Sequence, residues 1–563
     1  MKREGGTTAN LSARRTPHDM TRRRVLRALA GSAAGLAVGS LLSACGGASG
    51  ATSTNASGST GATPAAGSKT TADTAVGNAR PGGTLRYGLS TYPPNLDPLV
   101  TTGYAADTVK QQVYSALVRP NEKLEIMPEL ALSWEQPDDK TVVFKLRPNV
   151  KWHDGSPFSA DDVKFTLDRI LAPDSKATRQ SDLITIDKVE VVDPATIRIG
   201  LKQPDAALLA ILASPQCMIV SKKFVEGGGN LNNTMVGTGP FKVADIQPGV
   251  QIKLVKNPDF WEGGRPYLDG ITFTPYPDDT ARVNALKTGG VDFIDYVPYK
   301  DQGPLQSNNQ FQIGSDKDMT FMWLHVRLDK KPLDDPRVRQ AITLGIDRDA
   351  VVKTVFFGRG VPMTGGVLPP EFFGGDPALD GRYKRNLDKA KQLLTEAGYP
   401  NGFEVNLLST STYGFHKGTG EVVQSSLAQM GIKANLELVE WATDVQRRNE
   451  GQFDLLVDGG GYDYVDAASL AADFQSQAIF SKAEKFADPE VDDLFAKGRA
   501  TLQQDARKQI YDQIDSALLD KLPWIYLLRR EQAEAMATKV KGYVHIPGGN
   551  LSGLNLRQTW VAQ

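Results

Sequence analysis

The chain has 563 residues, a formal net charge of −1, two cysteines and five histidines. This length predicts about two to four domains, and the content of 40% hydrophobic and 23% charged residues excludes a disordered chain or a polytopic membrane protein. Two cysteines exclude a disulfide framework or a cysteine-rich metal site, and the lack of net positive charge argues against a nucleic-acid partner.

Residues 1–44 carry the features of an export signal. Eight Lys and Arg residues are followed by an apolar, small-residue-rich run at 28–44. The segment 21–27 resembles the twin-arginine export signal, and LSAC at 42–45 resembles the lipobox of bacterial lipoproteins. We therefore predict a signal peptide over 1–44 and lipidation of Cys45. The alternative is an uncleaved anchor helix that ends in an incidental cysteine.

Residues 45–80 are predicted to form a flexible, lipid-anchored linker. The segment consists almost entirely of Gly, Ser, Thr and Ala and has no aromatic residue. Such a composition cannot bury enough apolar surface to offset the entropy lost on ordering. The folded part is therefore expected to lie close to a membrane without being embedded in it.

From residue 81 onward, strands are predicted where apolar and polar residues alternate. The pattern indicates a strand at 83–89, a hairpin strand at 142–146 and a second hairpin over 189–201. The segment 271–294 is typical of a strand–helix–strand unit. Strands that alternate with helices predict α/β lobes with mixed sheets.

Helix starts are marked by capping residues. Ser159 with Asp162 three positions on is typical of a capping box. Asp335 before Pro336, and Asn386 before an amphipathic run, indicate two further N-termini. Each of these motifs predicts a helix with one apolar face.

No catalytic, metal or cofactor site is predicted. The histidines are dispersed, and the sequence has no HExxH motif, no CxxC pair and no P-loop. His153 lies between an expected strand and an expected helix, where a structural role is favoured. Cys217 lies in an apolar run and is expected to be a buried core residue.

Three segments carry a resemblance to a known family. Residues 145–170 read KLRPNVKWHDGSPFSADDVKFTLDRI, residues 83–98 read GTLRYGLSTYPPNLDP, and residues 236–261 read VGTGPFKVADIQPGVQIKLVKNPDFW. They resemble the signatures of family 5 solute-binding proteins, the receptors of oligopeptide, dipeptide and nickel ABC transporters. The resemblance extends over about residues 82–545.

The resemblance implies an α/β, periplasmic-binding-protein-like, two-lobed hinge fold of type II with an extra small domain and mixed sheets. Crossover strands are expected near 321–328 and 524–530. The implied division is lobe I at 81–125, 226–325 and 528–563, an inserted domain II at 126–225, and lobe III at 326–527.

The resemblance also implies a ligand site. In peptide-binding relatives an Asp of lobe III pairs with the ligand's α-ammonium, and Asp463 takes that position. Gly460 and Ala467 depart from the family pattern, which has Trp and Pro there, so an Asx turn is the alternative for this loop. Further ligand contacts are assigned to Tyr462, Tyr464, Tyr92, Trp323, Tyr413 and His416.

The resulting hypothesis is an extracytoplasmic, lipid-anchored substrate-binding protein of an ABC importer, and not an enzyme. It would be a monomer that takes a peptide-like solute to the permease subunits, with no metal or cofactor and no nucleic-acid partner. An oligosaccharide binder of the same family is the alternative ligand class. A secreted hydrolase and a sensory receptor are alternatives from other functional classes.

Overall fold

The structure is a computed structural model that describes residues 80–100, 103–315, 319–370, 372–462, 464–548 and 550–562. The predicted signal peptide, the predicted lipidation site Cys45, nearly all of the predicted linker and the predicted ligand residue Asp463 lie outside these residues. Among the helices of the described part, none has both the length and the apolar character needed to cross a membrane.

The strands are numbered in chain order. They are β1 Thr84–Leu89, β2 Val118–Pro120, β3 Ile126–Pro128, β4 Ala131–Asp138, β5 Thr141–Leu146, β6 Ile186–Asp193, β7 Thr196–Leu201, β8 Phe241–Gln247, β9 Gln251–Lys256, β10 Gly270–Pro275, β11 Phe293–Ile294, β12 Phe311–Ser315, β13 Thr320–Val326, β14 Gly360–Pro362, β15 Glu404–Thr410, β16 Lys433–Val439, β17 Leu455–Gly461, β18 Trp524–Arg530, β19 Ala533–Ala537, β20 Val540–Lys541 and β21 Trp560–Val561.

The α-helices are numbered in the same way. They are α1 Tyr104–Val113, α2 Ala160–Leu171, α3 Leu208–Leu212, α4 Lys222–Glu226, α5 Asp279–Lys287, α6 Tyr299–Gln306, α7 Pro336–Gly345, α8 Arg348–Thr354, α9 Leu387–Glu396, α10 Gly414–Ala428, α11 Trp441–Asn449, α12 Ala471–Phe474, α13 Ile479–Glu484, α14 Pro489–Ala500 and α15 Gln504–Lys521. Short 3₁₀ helices lie at Pro215–Cys217, Pro377–Leu379, Ala467–Leu470 and Ser552–Gln558.

A seven-stranded mixed sheet has the order β12-β19-β11-β1-β10-β9-β8. Strand β1 pairs in parallel with both β10 and β11, which are joined through α5. The strand–helix–strand prediction for this segment is therefore confirmed. Aromatic side chains of three neighbouring strands pack on one another here, with the ring of Tyr87 5.1 Å from Phe273 and 4.6 Å from Phe293.

A six-stranded sheet has the order β14-β18-β13-β17-β15-β16 and its own apolar core. The chain passes between the two large sheets from β12 to β13, and again from β18 to β19. Strands β13 and β18 pair with each other in antiparallel register from Thr320 opposite Arg530 to His325 opposite Trp524. The predicted crossover strands match β13 and β18, and the fold is the predicted two-lobed α/β architecture.

A separate four-stranded antiparallel sheet, β4-β5-β7-β6, lies within residues 131–201. Both predicted hairpins belong to it, because β5 pairs with β7 and β7 pairs with β6. Helix α2 covers one face, and its N-terminus has the predicted capping box between Ser159 and Asp162. The caps at Asp335 and Asn386 are present as well.

His153 joins this small sheet region to the turn before β8. Its Nδ1 accepts a hydrogen bond from Gly237 N at 3.3 Å, and its Nε2 donates to Gly239 O at 3.1 Å. Burial lowers the pKa of His153 to about 4, so the ring is neutral as this pattern requires. A Cβ atom at position 237 would lie 1.8 Å from the carbonyl oxygen of Val113, so only glycine fits. The predicted structural role of His153 is confirmed.

Candidate ligand-binding site

A cavity of about 450 Å³ lies where loops of the different sheets meet. This volume includes the solvent at the open side of the cavity, so it describes the extent of the cleft and not the size of a solute that it encloses. Its walls are mostly apolar, with a few amide, hydroxyl and phenol groups. The lining residues are Pro120, Ile126, Ala210, Ala213, Ser214, Pro215, Gln216, Met319, Tyr462, Tyr464, Val465, Gly548, Asn550 and Leu551.

Tyr462 and Tyr464, both predicted ligand contacts, line this cavity from the loop after β17. The Tyr462 hydroxyl donates to Val367 O at 3.0 Å, and its ring lies 4.9 Å from the ring of Phe321. The ring of Tyr464 lies 5.8 Å from the guanidinium carbon of Arg179. Asp463, which comes between the two tyrosines, is outside the described residues, so its assignment stays a prediction.

Another part of the cavity wall is fixed by a buried polar network around Gln216. Its Nε2 donates to both carboxylate oxygens of Asp107 at 3.1 Å, and its Oε1 accepts from Arg179 at 3.2 Å. Asp107 also forms a fully buried ion pair with Lys110, with Nζ 2.8 Å from Oδ1. Because its polar atoms are bound on the protein side, the Gln216 side chain has one orientation at the cavity wall.

A second group of predicted residues lies on the six-stranded sheet. The ring of Tyr413 is 5.7 Å from the ring of His416 and 5.3 Å from that of Trp441. The backbone N–H of Trp441 donates to Thr412 Oγ1 at 3.1 Å, which brings the start of α11 to the start of α10. Tyr413 is 39% exposed, whereas His416 is buried. We call Tyr413, His416, Trp441 and the neighbouring Asp444 and Arg448 the α11 cluster.

The α11 cluster contains buried charges. Burial, followed by the charge of Asp458, raises the pKa of Asp444 to about 6. Arg448 Nη1 donates to Asp458 Oδ2 at 2.5 Å, and its guanidinium carbon lies 4.9 Å from the centroid of the Phe480 ring. Burial lowers the pKa of His416 to about 4, which leaves that imidazole neutral.

Trp323, another predicted contact, lies on β13 and stacks on Trp524 of β18, with centroids 4.6 Å apart and planes 9° from parallel. A Cβ atom at Gly460 would lie 3.2 Å from the far edge of the Trp323 indole. The tryptophan expected at position 460 from the family pattern is absent, and the indole of Trp323 lies against this glycine from the neighbouring strand.

His325, beside this stack, is held between two carboxylates. Its Nδ1 is 2.5 Å from Glu484 Oε1, and its Nε2 is 3.2 Å from Asp458 Oδ2. Burial acts to lower the pKa of His325, but the hydrogen bonds to Asp458 and Glu484 outweigh it and raise the pKa. The indole N–H of Trp323 also lies 3.0 Å from His325 Nε2, so a buried network of one histidine and two carboxylates lies directly behind Trp323.

Arg530 lies at the second passage between the two large sheets and is 4% exposed. Its guanidinium carbon lies 5.6 Å from the Tyr296 ring and 5.0 Å from the Phe415 ring. It donates to the hydroxyls of Tyr296 at 3.1 Å and Tyr299 at 3.4 Å. Aromatic groups from both sides of the crossover therefore enclose this cation.

The predicted site residues consequently fall into separate groups. Tyr462 and Tyr464 share the cavity, Tyr413 and His416 share the α11 cluster, and Trp323 lies beside Gly460. Tyr92 is half-buried, and burial raises the pKa of its phenol although the backbone of Gly249, in the turn between β8 and β9, acts to lower it. Within the described residues, no group of three or more His, Cys, Asp or Glu side chains is arranged to hold a metal ion.

Sequence reasoning did not identify Asp444, Arg448, Asp458 or Arg530 as site residues. The available signal was a sequence spacing. Arg448 follows Asp444 by four residues, in the segment that begins at Trp441, and this spacing places both side chains on one side of a helix. That spacing alone is also typical of a surface ion pair, so it does not separate the two roles.

Comparisons with known proteins agree with this architecture. The sequence model described as bacterial extracellular solute-binding proteins, family 5 (middle), matches residues 125–482. The glutathione-binding protein GsiB of Escherichia coli is 29% identical over 471 residues, covering 81% of this chain and 91% of GsiB.

Two solved structures are similar over nearly their whole length. The periplasmic binding protein AgaA of A. tumefaciens R10, in complex with agropinic acid, has 37% identity and a TM-score of 0.77, with coverage of 85% of this chain and 99% of AgaA. DppA of Helicobacter pylori, an ABC-transporter-associated binding protein in complex with the peptide STSA, has 26% identity and a TM-score of 0.77, with coverage of 86% and 99%.

Proposed function

Since the chain belongs to the bacterial extracellular solute-binding proteins of family 5, we propose that it captures a peptide-like solute between its lobes and delivers it to an ABC permease. The family consists of substrate-binding proteins of importers, and the alternation of open and closed lobes provides their binding cycle. The observation that carries the ligand class is the mostly apolar cavity lined by Tyr462 and Tyr464, the two residues that flank Asp463 in the sequence.

The cavity supports a small solute with polar and apolar parts. Apolar side chains cover most of its wall, and the phenol of Tyr464 and the amide of Asn550 supply hydrogen-bonding groups. Asp463 would provide the carboxylate for an α-ammonium group between the two tyrosines. GsiB binds glutathione and DppA binds a peptide, which supports a peptide-like ligand for this chain.

The test is a thermal-shift screen followed by calorimetry on the folded part of the chain. The panel contains glutathione, di- and tetrapeptides, agropinic acid and oligosaccharides. A ligand that binds only the folded state raises the unfolding midpoint, by about 2.7 kcal/mol of stabilisation at 100 times Kd. We expect peptides or glutathione to do so, and Asp463→Ala to weaken them. The proposal is contradicted if only oligosaccharides raise the unfolding midpoint and if they raise it equally in the wild type and in Asp463→Ala.

We further propose that the mature protein is held at the outer face of the cell membrane by acyl chains on Cys45. The sequence LSAC at 42–45 and the linker rich in Gly, Ser, Thr and Ala that follows support this anchor. Intact mass of the membrane-extracted protein is expected to show diacylglycerol on an N-terminal Cys45. Cys45→Ser is expected to release the protein, and its retention at the membrane contradicts the anchor.

Turnover is not part of the proposed function. The rival hydrolase hypothesis requires product to form from a bound peptide, so mass spectrometry of the bound and released solute separates the two. We expect the solute to be recovered unchanged after stoichiometric binding.

A further inference from the structure

Asp444 is a buried carboxylate without a hydrogen-bond partner among the described residues. The residue is 1% exposed, and neither Oδ1 nor Oδ2 receives a hydrogen bond. Burying a carboxylate costs several kcal/mol unless a donor or a cation compensates, so such groups are normally paired. The buried, unbonded carboxylate of Asp444 is therefore unfavourable for the stability of the folded chain.

The expected local partner of Asp444 is engaged elsewhere. Arg448 lies four residues further along α11, the spacing at which an acid and a base form a helical ion pair. Its Nη1 instead donates to Asp458 Oδ2 at 2.5 Å, and its guanidinium rests on the Phe480 ring. Asp458 is held in turn by His325. Arg448 is therefore fixed by β17, and the carboxylate of Asp444 stays unbonded.

The surroundings of Asp444 favour a cation. Trp441 lies one turn earlier on α11; its ring is 5.3 Å from that of the partly exposed Tyr413 and 5.9 Å from the guanidinium carbon of Arg448, so Tyr413 offers the more open aromatic face. Aromatic faces attract ammonium and guanidinium groups, and a nearby carboxylate adds a charge-assisted hydrogen bond. His416 is neutral and adds no positive charge to the site, and its Nδ1 also lacks a partner among the described residues. Arg448 and His325 act to lower the pKa of Asp444, but burial and the charge of Asp458 outweigh them.

We propose that Asp444, with Trp441 and Tyr413, forms a specificity subsite for a cationic group of the solute. This inference rests on the proposed function and narrows it: the preferred solute is peptide-like and carries an ammonium or guanidinium group beyond the α-ammonium assigned to Asp463. An incoming N–H donor supplies the hydrogen bonds that Asp444 lacks.

The test uses two matched pairs of solutes that differ in charge: the dipeptides Ala-Lys and Ala-norleucine, and 1,5-diaminopentane and 1,5-pentanediol. The wild type is expected to bind Ala-Lys at least about tenfold more tightly than Ala-norleucine, the value of one hydrogen bond to a charged group. Asp444→Asn, which keeps the shape of the side chain, is expected to bind both dipeptides equally. Trp441→Leu is expected to show a smaller preference for Ala-Lys over Ala-norleucine than the wild type.

Asp388→Asn serves as the control, because Asp388 is an exposed acid on α9 of the same lobe. Circular dichroism and the unfolding midpoint verify that each variant is folded, and Asp444→Ser replaces Asp444→Asn if the latter is not. A wild type without preference for the cationic member of either pair, or a preference retained in the folded Asp444 variant, overturns the inference.

The panel also separates this inference from the proposed function. If neither dipeptide binds but the diamine binds through Asp444, the peptide proposal is wrong and the cationic subsite stands. If both dipeptides bind equally, the proposed function stands and the subsite is wrong. A panel in which no cationic member binds the wild type overturns the subsite as well.

Discussion

The guanidinium Nη2 of Arg499, on α14, lies 2.7 Å from Oδ2 of Asp205, in the segment that follows β7. The same nitrogen also donates to the backbone oxygen of Asp182, and the backbone N–H of Ala206 donates to Arg499 O at 2.9 Å. The four-stranded sheet region is thereby joined to a helix that packs on α15. The carboxylate of Asp205 is fully buried in this contact.

We predict that Arg499→Gln weakens solute binding, mainly by faster release. Removing one partner of a buried, hydrogen-bonded ion pair leaves the other charge unpaired and costs about 2–5 kcal/mol, which acts on dissociation. Stopped-flow release of a fluorescent solute and small-angle scattering of the unliganded protein measure the effect. Lys497→Gln removes an exposed pair of the same helix and is the control. An unchanged release rate in Arg499→Gln excludes a role of this ion pair in closure.

We predict that His325→Gln destabilises the fold by about 3 kcal/mol, because it leaves Asp458 and Glu484 buried without the histidine ring that bonds to both of them. The pKa of His325 is raised in the folded state, so its contribution is full below the unfolded value of about 6.5 and is lost as pH rises through the folded value.

Urea unfolding of wild type and His325→Gln at pH 6 and pH 9 measures this dependence. The difference in unfolding free energy is expected to be larger at pH 6. Lys433→Gln, which removes an exposed ion pair with Glu404, controls for the loss of one charge. A difference that grows with pH contradicts a charged His325.

Asp515 makes the stability of the fold depend on pH in the direction opposite to that of an ion-paired acid. Burial raises the pKa of Asp515 to about 7, although its Oδ1 accepts hydrogen bonds from Val367 N at 2.5 Å and from Leu368 N at 3.3 Å. Between the unfolded value of about 3.9 and pH 7, the folded state therefore binds the extra proton, and stability falls as pH rises.

We predict that Asp515→Asn reduces this slope, which for one group is at most about 1.4 kcal/mol per pH unit. The amide oxygen still accepts from the Val367 backbone, so the loop that holds the Tyr462 hydroxyl is preserved. Guanidinium unfolding at pH 5, 6, 7 and 8 measures the slope. Burial also raises the pKa of Asp295 to about 7, so Asp295 accounts for the part of the pH slope that remains in Asp515→Asn. The variant Asp295→Asn tests this second contribution in the same way. Identical slopes in wild type and Asp515→Asn contradict the prediction.

We predict that Cys217 does not react with a thiol reagent in the folded protein. It is 2% exposed, and burial raises the pKa of its thiol to about 11, so the nucleophilic thiolate is scarce at pH 8. In the Cys45→Ser chain, Ellman's reagent is expected to label one thiol after unfolding and almost none before it. Rapid labelling of the native chain would mean that the segment around Pro215–Cys217 opens readily.

Local features of the fold were predictable because they depend on neighbours in sequence. The capping box at Ser159, the cap at Asp335 and the alternation in β1 each arise within a few residues and are present in the structure. The family resemblance supplied the two-lobed arrangement and the crossover strands, which no local pattern determines.

The arrangement of the candidate site was not predictable in the same way. The spacing of Asp444 and Arg448 indicates an ion pair within α11, but Arg448 binds Asp458 of β17, which only the folded sheet brings near. Likewise, Trp323 and Gly460 lie far apart in sequence and meet because β13 and β17 are paired. Such contacts depend on tertiary structure, which composition and periodicity do not encode.

The antiparallel pairing of β13 with β18 has a consequence for lobe closure. Both passages between the large sheets leave from the same end of adjacent strands, at Thr320 and Arg530. Because the two connections lie side by side, a change in the angle between the two large sheets acts on both of them at once. We therefore expect lobe closure to bend the chain next to Thr320 and next to Arg530 together.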